Sequence, residues 1–273
     1  MQLCIRICIT CALKGEHTVP GRVRFRLAQA RVTVRLFCKW LLFPGLDLHT
    51  RCRYRFLPRF FRRGPLDTLD AGCGNGALGY AAYRRGSRVV GVTFDADQVR
   101  KAQEFFAFRG ISQDQLHFEL CNIYDLPLLG VKFDQIICSE TLEHIARDWL
   151  VVRHFHALLR DGGVLHLCCP FSKHPDNHGR FETTEDAGWH VRDGYTLESY
   201  RALLEPAGFE IVQSIGLGSP LLVRLARLIQ SLWFRRGLTV ALPLFLLTWP
   251  LQFLDYLNPK VPLSLYVQAV KKF

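Results

Sequence analysis

The sequence predicts an α/β protein built on one seven-stranded, mostly parallel sheet with helices on both faces, and three observations carry that prediction. Short apolar runs alternate with segments of helical period from about residue 65 to residue 215, the interval at which strand, crossover helix and next strand recur in a parallel sheet. The first run leads into a glycine-dense turn, Leu69-Asp70-Ala71-Gly72-Cys73-Gly74-Asn75-Gly76. A chain of 273 residues with 49% hydrophobic and 22% charged content suffices for one large folded domain that carries insertions.

The elements follow in order. Pro65 to Leu69 is extended, and Ala77 to Tyr83 starts a helix, so the glycines occupy a strand-to-helix turn. Glycine accepts positive φ and lets a ligand approach the backbone, whose free N–H groups suit an anion. Arg88 to Phe94 reads as a buried strand, and Asp95 to Phe108 as a helix that begins at its cap. Gln115 to Cys121 is a third strand, Phe133 to Cys138 a fourth, and Arg147 to Leu159 a helix. Gly162-Gly163 turns the chain into the fifth strand, Val164 to Cys169. A polar tract from Ser172 to Gly194 carries His174, His178, Trp189, His190 and Arg192. Thr196 caps a helix to Leu204, Phe209 to Ile215 is the sixth strand and Leu263 to Val270 the seventh.

Two segments fall outside this alternation. The net charge of +11 is concentrated early: residues 1–67 hold 14 Lys and Arg against Glu16, Asp47 and Asp67, leaving 21 of each sign in the rest. Within this arm Arg22 to Leu27 and Arg51 to Phe56 alternate basic and apolar residues, as an exposed strand or an interfacial segment does. An anionic surface is one partner for it, and plain solvation is the other reading. Met1 to Thr10 suits a secretory signal poorly, because an arginine interrupts its apolar run.

The second segment precedes the last strand. Pro220 to Phe234 is apolar apart from a narrow polar stripe, and Leu238 to Leu254 has no charge but holds Pro243 and Pro250. As a straight helix the latter rises ~26 Å against a ~30 Å hydrocarbon core. A segment lying in a membrane interface, a lid packed on the domain and a true span all stay open. The chain thus divides into a basic extension over 1–53, a main domain over 54–215, an apolar insertion over 216–262 and a last strand of the main domain over 263–273. Apolar settings for Cys121, Cys138, Cys168 and Cys169 fit reduced thiols and a cytoplasmic protein, with or without membrane contact. Cys8-x-x-Cys11 lacks a second pair, so no metal is expected.

Five segments in sequence resemble the class I S-adenosylmethionine-dependent methyltransferases, in particular the compact small-molecule type called type 11. They are Asp70 to Gly76; Val89 to Asp95; Asn122-Ile123 ahead of Asp125-Leu126-Pro127; Phe133-Asp134 through Ser139-Glu140-Thr141-Leu142-Glu143-His144-Ile145; and Leu158 to Gly163. The resemblance covers about residues 54–215 and the final strand, and implies a Rossmann-like sheet with S-adenosylmethionine as cofactor. It assigns Asp70 to the cofactor's amino group and Gly72, Gly74 and Gly76 to its methionine end. Asp95 is expected on the ribose, although the commonest pattern has its acid where Thr93 stands; Asp95 as a helix cap is the other reading. Asn122 and Ile123 are expected at the adenine.

Glu140 follows the fourth strand toward the region where methyl donor and acceptor meet, and His190, with His178, Glu143 and His144 behind it, is the leading candidate to activate an acceptor hydroxyl. Arg192 and Tyr195 are expected to shape the acceptor pocket. The expected activity is methyl transfer to a small-molecule or lipid- or saccharide-linked acceptor. Two other classes stay open: a nucleotide-dependent oxidoreductase, since Gly72-x-Gly74-x-x-Ala77 meets the dinucleotide spacing, and a non-catalytic membrane-associated module. Nucleic acid is not the expected partner, because no base-reading motif accompanies the basic arm.

Overall fold

The computed structural model describes residues 32–179 and 189–272. The expectations for Met1 to Thr10, for Cys8-x-x-Cys11 and for Arg22 to Leu27 lie outside the described residues.

One sheet of seven strands organises the chain, in the order β3-β2-β1-β4-β5-β7-β6. The strands are β1 (Asp67–Ala71), β2 (Arg88–Thr93), β3 (Leu116–Leu120), β4 (Phe133–Ser139), β5 (Leu159–Pro170), β6 (Phe209–Leu217) and β7 (Ser264–Lys271). β1 to β5 are parallel, and β7 runs antiparallel between β5 and β6. All seven expected strands are present. β5 starts earlier than expected, at Leu159, with a register shift against β4 between Phe133 and Gln135.

The helices are α1 (Leu48–Phe56), α2 (Ala77–Tyr83), α3 (Ala96–Phe108), α4 (Asp148–Leu158), α5 (Leu197–Leu204), α6 (Pro220–Arg236) and α7 (Leu238–Thr248), and residues 32–41 are also helical. Caps account for where several begin: Asp95 accepts from Asp97 N and Gln98 N, and Thr196 and Ser199 form a reciprocal capping box. Two apolar clusters form the core, one holding Phe105, Phe106, Phe118 and Tyr266, the other Phe133, Phe155, Tyr200 and Phe209. Between strands, Gln135 donates to Thr68 Oγ1 at 2.9 Å, and His166 joins Gln135 Oε1 (3.3 Å) to the Tyr266 hydroxyl (2.8 Å).

Arg51 to Phe56 is not a strand. Asp47 caps this stretch, accepting from His49 N at 3.3 Å and Thr50 N at 2.7 Å, and α1 buries Arg51, Cys52 and Phe56. The helix crosses the boundary drawn between residues 53 and 54 and belongs to the packed body. Phe43, just before it, stacks on Phe105 with centroids 5.4 Å apart and meets Tyr54 and Tyr80 edge-on.

The insertion folds back on α1. Arg51 lies over the rings of Trp249 (4.0 Å) and Phe245 (5.1 Å), and the Cys52 thiol donates to Asp255 Oδ2 at 3.1 Å. One face of α6 and α7 is thereby buried, through Leu222, Val223, Ala226, Ile229, Ala241 and Phe245. The outer face is exposed and mixed: Phe234 at 82% and Leu247 at 78% stand out, with Arg224, Arg227, Gln230, Arg235 and Arg236 exposed along α6. Among the described residues no helix is long and apolar enough to cross a membrane.

Candidate active site

β2 and β4 pair with opposite edges of β1, so the crossover connections reverse there and leave a crevice at the carboxyl end of the sheet. The turn after β1 lies at that end. Gly72, Gly74 and Gly76 all have positive φ, at 76°, 52° and 74°. The three do different work. A Cβ on Gly72 would come within 2.2 Å of Thr141 Oγ1, and one on Gly76 within 2.6 Å of the Phe118 ring, so these two are held against the chain. A Cβ on Gly74 would meet nothing within 4 Å. Gly72 N and Cys73 N both donate to Val92 O at 2.9 Å, and Gly76 N donates to Cys73 O at 2.8 Å. Among the described residues, the N–H groups of Gly74 and Asn75 donate to no acceptor, leaving two amides at the open part of the turn.

Asp70 is 2% exposed and accepts from Gly79 N through Oδ2 at 2.7 Å. Burial raises its pKa to about 7, and the Gly79 bond offsets this only in part. Asp95 caps α3 with Oδ1, so the cap reading and the ribose reading compete for a single carboxylate. Asn122 caps the short 3-10 helix that follows β3, accepting from Tyr124 N at 3.0 Å, and Ile123 behind it is 9% exposed. Phe94, which sequence reasoning passed over as the end of a buried strand, is 75% exposed beyond β2.

The opposite wall begins at Ser139. Glu140 has φ 52°, unusual for a residue with a side chain. Its carboxylate lies 3.2 Å from Arg53 Nη1 and accepts from Ser264 Oγ at 3.3 Å, joining α1 and β7 to the segment after β4. No local signal links Arg53 to a residue so far along the chain. Beyond Glu140, Thr141 backs onto Gly72. Glu143 is 1% exposed; burial, then the charge of Glu140, pushes its pKa well above the usual carboxylate range. Glu143 Oε2 accepts no hydrogen bond, and Oε1 lies 3.9 Å from His144 Nε2.

The stretch 189–195 returns to this wall. Val191 N donates to Glu143 O at 2.9 Å, which brings His190 edge-on to His144 with ring centroids 4.6 Å apart. Arg192 fixes the stretch in place: it pairs with Asp148 and donates to Ile145 O and to the Tyr195 hydroxyl, each at 2.8 Å. Tyr195 is 3% exposed and donates to Asp148 Oδ2 at 2.6 Å. The contacts of Arg192 and Tyr195 are thus with the chain itself, as a clamp behind His190. His178 pairs with Asp193 at 3.0 Å and is otherwise exposed.

The sheet thus runs 3-2-1-4-5-7-6 with its seventh strand reversed, and the glycine turn follows a buried acid. Residues 65–187 match a family model described as a methyltransferase domain. It is 32% identical over 146 residues to the 27-O-demethylrifamycin SV methyltransferase of Amycolatopsis mediterranei (strain S699), covering 52% of this chain and 53% of that one. It is also 32% identical over 104 residues to the ubiquinone biosynthesis O-methyltransferase of Haemophilus ducreyi, covering 36% and 43%. The chain therefore spans about half the length of these relatives or less. Among solved structures it is similar in fold to the cyclase SpnF, with a TM-score of 0.55, 21% identity and 83% and 80% of the two chains covered. A TehB-like S-adenosylmethionine-dependent methyltransferase from Corynebacterium glutamicum gives a TM-score of 0.51 at 15% identity, covering 90% and 99%.

The residues present fit S-adenosylmethionine. Its charged end is a carboxylate beside an ammonium group; the turn offers two open amides, with a buried carboxylate directly before it.

Proposed function

We propose that this chain transfers a methyl group from S-adenosylmethionine to an oxygen atom of a small-molecule or lipid- or saccharide-linked acceptor. When bound, the cofactor supplies a methyl carbon already activated by the positive sulfur, so the protein's task is to align, exclude water and prepare the acceptor. Gly74 and Asn75 amides receive the carboxylate end and Asp70 supplies the charge for the ammonium, with Gly72 and Gly76 shaping the turn. Asp95 keeps one oxygen for the ribose while the other caps α3, and Asn122, Ile123 and the exposed Phe94 ring border the base.

The observation that carries the proposal is the contact between two walls: Thr141, backed onto Gly72, places Glu140, Glu143, His144 and His190 beside the cofactor turn. These are the groups that prepare an acceptor hydroxyl, with Arg192 and Tyr195 positioning His190. The oxygen specificity is supported by the two relatives, one of which is named for O-methylation in ubiquinone biosynthesis and the other for position 27-O of a rifamycin precursor. A dinucleotide oxidoreductase is less well supported, since the common dinucleotide-binding order is 3-2-1-4-5-6 without a reversed strand between β5 and β6.

The lipid-linked class of acceptor draws support from the outer face of the insertion. Phe234, Leu247, Phe253 and Leu254 are exposed, and Arg235 and Arg236 adjoin Phe234, a combination that suits the interface of an anionic membrane. Labelled methyl transfer from S-adenosylmethionine into lipid, quinol and saccharide extracts tests the proposal. Label in a product that loses it on ether or ester cleavage supports it; wild-type chain that transfers no label to any extract counts against it.

A further inference from the structure

Glu143, His144 and His190 converge on one point of the site wall. Each offers one ligand atom, and these atoms all lie within 4.8 Å of one another. Glu143 is buried at 1% exposure with Oε2 accepting no hydrogen bond, and His144 Nδ1 is likewise buried without a partner. A buried carboxylate oxygen left unpaired costs about 1–3 kcal/mol or more, so it persists where something else satisfies it. Arg53 does not do so, because it is engaged by Glu140.

We infer that Glu143, His144 and His190 form a binding site for one divalent transition-metal cation at the acceptor side of the cofactor turn. Two imidazoles and one carboxylate suit Zn²⁺, Mn²⁺ or Fe²⁺ rather than Ca²⁺ or Mg²⁺, which prefer oxygen donors. Ligand atoms around such an ion stand about 3–3.5 Å apart at bond lengths of about 2.0–2.2 Å, so closure from the observed spacing takes side-chain movements of about 1 Å. The frame to support this is in place: the Val191-to-Glu143 backbone bond carries His190, and Glu143 and His144 lie in a short 3-10 helix. Three protein ligands leave coordination positions open. Resting on the methyltransferase proposal, the cation would hold an acceptor oxygen there and favour its anionic form.

Sequence spacing hides the site, since His190 follows His144 by 46 residues with no Cys or His pattern between them. The test uses the full chain, freed of any affinity tag and of bound metal by chelation, titrated with Co²⁺ and followed by its visible absorption. One equivalent should bind, with Zn²⁺ displacing it, and Glu143→Gln, His144→Asn and His190→Asn should each weaken binding more than tenfold. Calorimetry with S-adenosylhomocysteine runs in parallel on every variant, reporting both folding and the cofactor site. Wild-type chain that binds S-adenosylhomocysteine but takes up no Co²⁺, or variants that bind Co²⁺ as wild type does, overturn the inference. Loss of S-adenosylhomocysteine binding by the wild type itself would instead overturn the methyltransferase proposal.

Discussion

Asp70 makes the cofactor proposal quantitative. Burial holds its pKa near 7 in the free chain, so at pH 6 only about a tenth of the molecules carry the charge and at pH 8 about nine tenths do. An ammonium group placed beside it stabilises the ionised form and pulls its pKa down. The sign follows by linkage: ligand binding releases a proton, and affinity rises as pH climbs through 7. With a bound-state pKa below about 5, affinity should increase about tenfold between pH 6 and pH 8, or about 1.4 kcal/mol. Calorimetry with S-adenosylhomocysteine across that range, in buffers of different ionisation enthalpy, reads both the affinity and the proton count. Asp70→Asn should bind more weakly and lose this slope. A wild-type profile that is flat, or the same slope in Asp70→Asn, refutes the assignment.

Four further outcomes follow from particular contacts. Gly72→Ala combines a φ of 76° with a Cβ 2.2 Å from Thr141 Oγ1, and should destabilise by about 2–4 kcal/mol in urea denaturation; a second change, Thr141→Gly, should recover the steric part only. Arg53→Ala strands Glu140 and should cost about 1–2 kcal/mol, with part restored by adding Glu140→Gln. His166, held neutral by burial with a pKa near 3, should make stability fall by about 2 kcal/mol as pH drops from 6.5 to 5, because the unfolded chain takes up the proton first; His166→Gln should flatten that dependence. Replacing Phe234 and Leu247 by Ser should reduce flotation with anionic vesicles while leaving thermal unfolding within a few degrees, and unchanged flotation would remove the interfacial reading of the insertion.

What could be read from the chain, and what could not, divides along physical lines. Strands and their helices were legible because apolar periodicity and caps such as Asp95 and Thr196 are local signals. The glycine turn was legible for the same reason. Arg51 to Phe56 was not, since alternating arginine and apolar residues imitate a strand, and only the Asp47 cap and the partners of Arg51, Cys52 and Phe56 across the fold make it helical. The Arg53–Glu140 pair and the return of His190 to His144 are long-range contacts set by topology, with nothing in the intervening sequence to announce them. Glu143 lies in a short 3-10 helix with its carboxyl group sealed in the site wall, a burial that no local pattern announces.

Gly74 allows the most direct test of where the cofactor sits. Its missing side chain opens on space free of protein atoms, so Gly74→Val intrudes on a ligand there without a clash against the chain, its φ of 52° adding backbone strain that lowers stability. The account predicts a variant that folds, unfolding at a modestly lower temperature, and that has lost calorimetric binding of S-adenosylhomocysteine. A folded Gly74→Val chain that binds this ligand as tightly as the wild type would contradict it.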